Sequence, residues 1–259
     1  MIKNLKTTLI QSKLHWEDAA ANRRMFSEKM NSISEETDLI ILPEMFTTGF
    51  SMNASNLAEE TNGKSLNWMI SEAKKQDAAI TGSVIIKEES NYYNRLFFVF
   101  PDGSYKTYDK KHTFTFAGEH KTYSKGTERL IVEYKGWKIC PLVCYDLRFP
   151  VWSRNTEDYD LLLYVACWPK KRTFAWDALL RARAIENMSY CIGVNRVGVD
   201  GNGHEYNGHS AVYNVLGKQV SRKDFETEFV ETLTLTKGHI ATTREHLKFL
   251  QDRDRFRLI

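Results

Sequence analysis

Ile139-Cys140-Pro141-Leu142-Val143 runs straight into Cys144-Tyr145-Asp146-Leu147-Arg148-Phe149-Pro150. The apolar stretch 137–143 is too short for a stable helix and reads as a strand buried on both faces. Cys144 stands where that strand stops. In α/β proteins, ligands and nucleophiles gather at the carboxyl ends of strands. Backbone N–H groups at the start of the next element can lower a thiol pKa there and bind an oxyanion. A core thiol accounts for the position as well, since free Cys is among the most buried residue types.

Outward from this junction, short apolar runs alternate with helical patterns. Strands are predicted at 7–10, 39–42, 79–86, 161–165, 191–194 and 229–235, and helices at 19–33, 65–76 and 175–187. Asp18 is placed to cap the first helix, with Ala21, Met25 and Met30 on its apolar face. Residues 95–100 and 105–108 flank Pro101-Asp102-Gly103-Ser104, which predicts a hairpin. A second hairpin begins at 210–214 with Gly217-Lys218. The second half loosely repeats the order of the first, so 1–259 reads as one α/β domain with two similar halves.

The chain has 259 residues, 42% of them hydrophobic, enough for a sizeable core. Its 36 Lys+Arg against 33 Asp+Glu give a net charge of +3, too even for a nucleic-acid-binding surface. No apolar run reaches the ~20 residues of a membrane span. Met1 to Lys6 lacks the apolar core of a secretory signal, and four Cys make no disulfide framework. A soluble cytoplasmic α/β protein with no membrane or nucleic-acid partner is expected.

Two further residues hold positions that suit catalysis. Glu44, in Leu42-Pro43-Glu44-Met45-Phe46, directly follows a buried strand, where burial raises a carboxyl pKa toward that of a general base; a capping or salt-bridged Glu fits equally. Lys110, in Tyr108-Asp109-Lys110-Lys111-His112, ends a hairpin strand, where its charge could stabilise an oxyanion or simply be solvated. His112 leaves a Cys–His dyad open. Cys140, Cys167 and Cys191 read as core thiols. His204 and His209 lie near a Gly-rich turn and read as solvated loop residues, and no zinc-ligand spacing is present.

Together these segments resemble the carbon–nitrogen hydrolase (nitrilase) superfamily. The resemblance rests on Leu-Pro-Glu at 42–44, Tyr-Asp-Lys-Lys-His at 108–112 and Val-Cys-Tyr-Asp-Leu-Arg-Phe-Pro at 143–150. It extends to Trp168-Pro169 with the run 176–187, and to Asn195-Arg196-Val197-Gly198 with Gly208-His209-Ser210. It implies a four-layer α-β-β-α sandwich, two mixed sheets face to face with helices outside. It also implies a Glu44, Lys110 and Cys144 triad, with Glu119 positioning the Lys, the Tyr145 N–H in the oxyanion site, and His112 in a supporting place. No cofactor or metal is implied. Val151 departs from the acidic residue many members carry.

Met-Phe-Thr-Thr-Gly-Phe-Ser-Met at 45–52 and Tyr-Val-Ala-Cys-Trp-Pro at 164–169 are most similar to the omega-amidase branch. Members hydrolyse the terminal amide of 2-oxoglutaramate and 2-oxosuccinamate. Cys167 stands where relatives often have Asn. A distal carboxylate calls for a cation, and Arg matches it bidentately. Arg172 is the expected clamp, Arg196 its alternative, with Phe116 and Trp168 walling the aliphatic spacer. The resemblance implies a homodimer or an assembly of dimers, with Phe149-Pro150-Val151-Trp152 contributing. The rival readings are another C–N hydrolase (a carbamoyl-amine amidase or nitrilase), a non-catalytic interaction protein, and a redox thiol protein using Cys140.

Overall fold

The computed structural model describes residues 4–256; of the N-terminal stretch read above, Met1 to Lys3 lie outside the described residues. The chain runs β1 (Leu5–Gln11), α1 (Ala19–Asn31), β2 (Leu39–Ile41), α2 (Lys64–Gln76), β3 (Ala79–Glu88), β4 (Asn91–Val99) and β5 (Tyr105–Asp109). It continues through β6 (Val132–Tyr134), β7 (Trp137–Val143), β8 (Leu161–Val165), α3 (Thr173–Asn187), β9 (Tyr190–Val194), β10 (Ala211–Tyr213), β11 (Phe229–Leu235) and α4 (Lys237–Leu247).

The first sheet has the order β11-β1-β2-β3-β4-β5, and Glu59–Glu60 adds a two-residue strand beside β3. The second has the order β10-β9-β8-β7-β6. Each is parallel at its centre and antiparallel at its flanks. That repeated plan is the physical content of the two similar halves.

Side-chain alternation builds the layers. Along β2, Leu39 and Ile41 enter the cluster shared with the second sheet, while Ile40 joins Phe26, Met30, Leu66 and Met69 of α1 and α2 on the other face. Leu96 and Phe98 against Phe97 and Val99 repeat this along β4. Successive side chains of a strand point to opposite faces, so an all-apolar run must be covered on both. β7, β8 and β9 are covered by the first sheet on one side and by Trp176, Leu180 and Ala184 of α3 on the other. The result is the four-layer α-β-β-α sandwich.

Asp18 caps α1 by accepting from the Ala21 N–H at 2.9 Å. The buried face of α1 is turned from the expected one: Asn22, Phe26 and Met30 point inward, and Ala21 and Met25 are only half-buried. Asn22 is tolerated there because its amide bonds the His15 and Thr47 carbonyls at 2.7 Å each. The hairpin pairs Leu96 with Tyr108 across the expected turn. Sequence periodicity did not announce β6, the small ribbon Val197–Val199 with Glu205–Asn207, or α4. The strands among these are three residues long, and α4 buries only Ile240. Trp152 belongs to the core, its indole N–H donating to the Tyr108 hydroxyl at 3.0 Å, while Pro150 and Val151 of its segment are exposed. No helix among the described residues is long and apolar enough to cross a membrane.

Candidate active site

The carboxyl ends of β2 and β8, one from each sheet, meet at a single carboxylate. Glu44 lies just beyond β2, and its Oε2 accepts the Cys167 N–H, just beyond β8, at 2.8 Å. Its Oε1 accepts from Lys110 Nζ at 2.8 Å and from the Asn94 amide at 2.8 Å. Lys110 follows β5 and also donates to both oxygens of Glu119 at 3.0 Å. Glu119 is held in turn by the Phe114 N–H. Glu44, Lys110 and Glu119 are all buried. Gly126 permits this packing: a Cβ there would stand 2.0 Å from the Asp109 carbonyl oxygen, beside Lys110.

Cys144 leaves β7 with φ of 45°, in the left-handed region that a residue bearing a Cβ seldom adopts. The turn Cys144–Arg148 follows. Arg183 of α3 ties this turn to the helix layer through the Leu147 carbonyl at 2.7 Å. Burial and then the Glu44 carboxylate push the Cys144 thiol well above its usual range, with Lys110 pulling the other way. The thiol is therefore held protonated and needs a base. Burial works to lower the Lys110 pKa, but Glu119 and Glu44 outweigh it and hold it well above the ordinary value, so it stays cationic. Burial, with Glu44 nearby, raises Glu119 against the pull of Lys110.

Cys144 and Lys110 open onto a cavity of ≈ 430 Å³, a size suited to a small ligand. Phe116, Tyr145, Trp168 and Arg172 line it, as does Arg148, which sequence reasoning passed over. Cys167 also lines it. It keeps its place in the core, but its backbone N–H and cavity position also put it beside Glu44, whereas Cys140 and Cys191 are fully buried among apolar side chains.

The Arg148 guanidinium lies 4.9 Å over the Trp168 ring and that of Arg172 5.0 Å over Phe114. Neither has an ion-pair partner among the described residues. Arg196 is elsewhere. It is buried over Tyr206 at 4.7 Å and is not among the cavity-lining residues.

His112 does not face the thiol. Its Nδ1 lies 2.7 Å from Asp146 and its ring stacks on Phe149 at 3.7 Å, so the dyad reading fails on geometry. His204 is exposed at the cavity rim. His209 is not a solvated loop residue. It sits between Asp177 at 3.0 Å and Glu226 at 3.3 Å, and although burial opposes it these carboxylates raise its pKa. Asn94 went unnoticed in the sequence because it stands just before the run 95–100 read as a strand, and the structure extends β4 back to Asn91.

Residues 6–245 match the carbon-nitrogen hydrolase family model. Omega-amidase YafV of Escherichia coli K12 is 48% identical over 256 residues, 98% of each chain. The 2-oxoglutaramate amidase of Bacillus subtilis is 36% identical, over 71% of this chain and 73% of its own. The crystal structure of XC1258 from Xanthomonas campestris, a CN-hydrolase superfamily protein with an arsenic adduct in the active site, is 45% identical. It superimposes with a TM-score of 0.96 over 99% of both chains. The chain thus belongs to the carbon–nitrogen hydrolase, or nitrilase, superfamily and is a hydrolase of carbon–nitrogen bonds.

The charge pattern of the buried cluster makes a direct prediction. Removing one partner of a buried ion pair typically costs about 3–5 kcal/mol, because the other charge is left unpaired. Lys110→Ala leaves Glu44 and Glu119 facing each other, so it is expected to lose that much stability in urea unfolding at pH 7. The loss should shrink as pH falls, when a proton on one carboxyl replaces the ammonium. Unchanged stability at pH 7 would show that the cluster is already neutral without the lysine.

Proposed function

We propose that this hydrolase is an omega-amidase, cleaving the terminal amide of short dicarboxylic omega-amides of the 2-oxoglutaramate and 2-oxosuccinamate type to the dicarboxylate and ammonia. One observation carries this reading. A cavity with the Glu44–Lys110–Glu119 cluster and Cys144 at its base bears two unpaired arginines on its wall. The 48% identity to an omega-amidase supports it.

An unactivated amide requires a strong nucleophile, a cation for the oxyanion and a proton for the leaving group. Glu44 takes the Cys144 thiol proton as sulfur attacks the carbonyl carbon. Lys110 and the Tyr145 backbone N–H hold the tetrahedral oxyanion. Collapse expels ammonia, which takes the proton from Glu44, and leaves the Cys144 thioester. Glu44 then deprotonates a water that attacks the thioester, and the proton returns to the thiol. Glu119 keeps Lys110 charged and aimed.

Arg172, with Arg148 beside it, takes the distal carboxylate, while Phe116 and Trp168 wall the spacer. Four thiols, all free and buried, suit a reducing compartment, and we place the enzyme in the cytoplasm.

Cys144→Ala is expected to abolish ammonia release, and mass spectrometry of wild type quenched during turnover of 2-oxoglutaramate should find acyl mass on the Cys144 peptide. Activity in Cys144→Ala, or acyl mass on another residue, would overturn the mechanism.

Loss of a charge-assisted pair costs about 1.5–3 kcal/mol, or roughly 10- to 150-fold. Arg172→Ala and Arg148→Ala are expected to lose that much kcat/KM on the acidic omega-amide and little on a neutral amide of equal length. Equal losses on both substrates would mean that the arginines only support the wall.

The assembly is proposed to be a homodimer joined through the face that exposes Val151 and Ile185. Light scattering should then give twice the chain mass, and a monomer at micromolar concentration would refute it.

A further inference from the structure

We infer that Asp146 is a positioning residue that sets the register between the nucleophile and the oxyanion cation. Its carboxylate is fully buried, and its two oxygens serve two different pieces of chain. Oδ2 accepts the Val143 N–H at 3.0 Å and the Tyr108 hydroxyl at 2.7 Å. Oδ1 accepts the His112 N–H at 3.0 Å and lies 2.7 Å from His112 Nδ1. Cys144 lies in sequence between Val143 and Asp146, and Lys110 lies between Tyr108 and His112. Each of the two proposed catalytic residues is thus bracketed by groups bound to one carboxylate.

The partners are themselves fixed. The Tyr108 hydroxyl accepts from the Trp152 indole at 3.0 Å and from the Lys111 N–H at 3.2 Å. Burial and Asp146 raise its pKa, so it remains a donor. His112 is stacked on Phe149, the residue that ends the nucleophile turn.

This arrangement answers a problem the rest of the site leaves open. Lys110 is tethered by its ammonium to Glu44 and Glu119 and by its backbone N–H to the Asn94 carbonyl, all reached from the first sheet or the loop after β5. Cys144 comes from the second sheet and holds a strained left-handed backbone. No hydrogen bond joins the thiol to Lys110 among the described residues. A buried carboxylate accepting several donors is rigid, and a misplacement of about 1 Å between reacting groups costs ~100-fold in rate. An amide in place of the carboxylate cannot satisfy the Val143 and His112 backbone N–H groups together with the Tyr108 hydroxyl, because one side would present an NH₂ to a donor.

The inference rests on Cys144 and Lys110 acting as proposed above, a reading that Cys144→Ala tests separately. The experiment is steady-state kinetics of Asp146→Asn on 2-oxoglutaramate, with rates divided by the thiol content titrated at Cys144 by iodoacetamide. Expected is a 10- to 100-fold fall in kcat per titrated site with KM within about twofold, since neither the Arg148 nor the Arg172 side chain bonds to Asp146, Tyr108 or His112. Tyr108→Phe and His112→Ala each cut one tether and should show smaller falls of the same kind. Combined, the two should fall short of the product of their separate effects, as expected of one shared device. If Asp146→Asn does not fold, the Tyr108 and His112 variants carry the test alone. A kcat per titrated site equal to wild type would overturn the inference. So would a loss that appears only as fewer titratable thiols, which would make Asp146 a prop of the fold.

Discussion

A lysine ammonium sealed between two carboxylates is the constraint on which this structure turns. Taking such a group out of water is costly, and an ion pair in the interior is repaid only when its geometry is good and its remaining protons are bonded. Lys110 meets that condition with Glu44 at 2.8 Å and Glu119 at 3.0 Å. Asn94 adds a donor to both carboxylates. Apolar residues of similar size would pack there more simply. A buried cluster of three ionisable groups beside a raised thiol is the pattern expected of chemistry rather than of stability.

The sandwich exists, in effect, to bring those groups together. Glu44 and Lys110 lie past strands of the first sheet, Cys144 and Cys167 past strands of the second. The sheets pack through the Leu39, Ile41, Leu96 and Leu142 layer, so a shift of one sheet against the other would separate Glu44 from Cys144. Polar bonds lock the seam at both ends of the site. Gln11 of β1 accepts from the Ser210 N–H at 2.9 Å and hydroxyl at 2.7 Å, just before β10, and Cys167 donates to Glu44. Burial of β2 and β4 on both faces holds the register that makes these bonds possible.

Much of this was legible in the chain because the strands are short, apolar and abruptly ended. Glu44, Lys110 and Cys144 each stand at or just beyond a strand's end, where a polar residue is conspicuous. What stayed hidden has a physical reason in each case. Asn94 stands with Asn91 and Arg95 in the polar first half of β4, which the sequence reading left outside the strand. Cys167 has apolar neighbours on its strand side, and only tertiary packing opens its other side to the cavity. Arg148 sits four residues beyond Cys144, and sequence cannot tell a cavity-lining arginine from a solvated one. Arg196 failed the opposite way, its guanidinium being folded over Tyr206 instead of into the cavity.

The cavity is also polarised along its depth, and this bears on how an amide would be oriented. At its base two carboxylates share one ammonium, and burial, then the nearby Glu44, raises Glu119 against the pull of Lys110. Around its wall stand Arg148, Lys171 and Arg172, and the acidic Asp200 there is occupied by the Tyr206 hydroxyl at 2.8 Å and two backbone N–H groups at 2.9 Å. A ligand with a carboxylate at one end and a neutral amide at the other is repelled carboxylate-first from the base and attracted to the wall. In a site of low dielectric both effects are stronger than in water. On the proposed reading, this charge pattern turns the amide end, and not the acid end, toward Cys144.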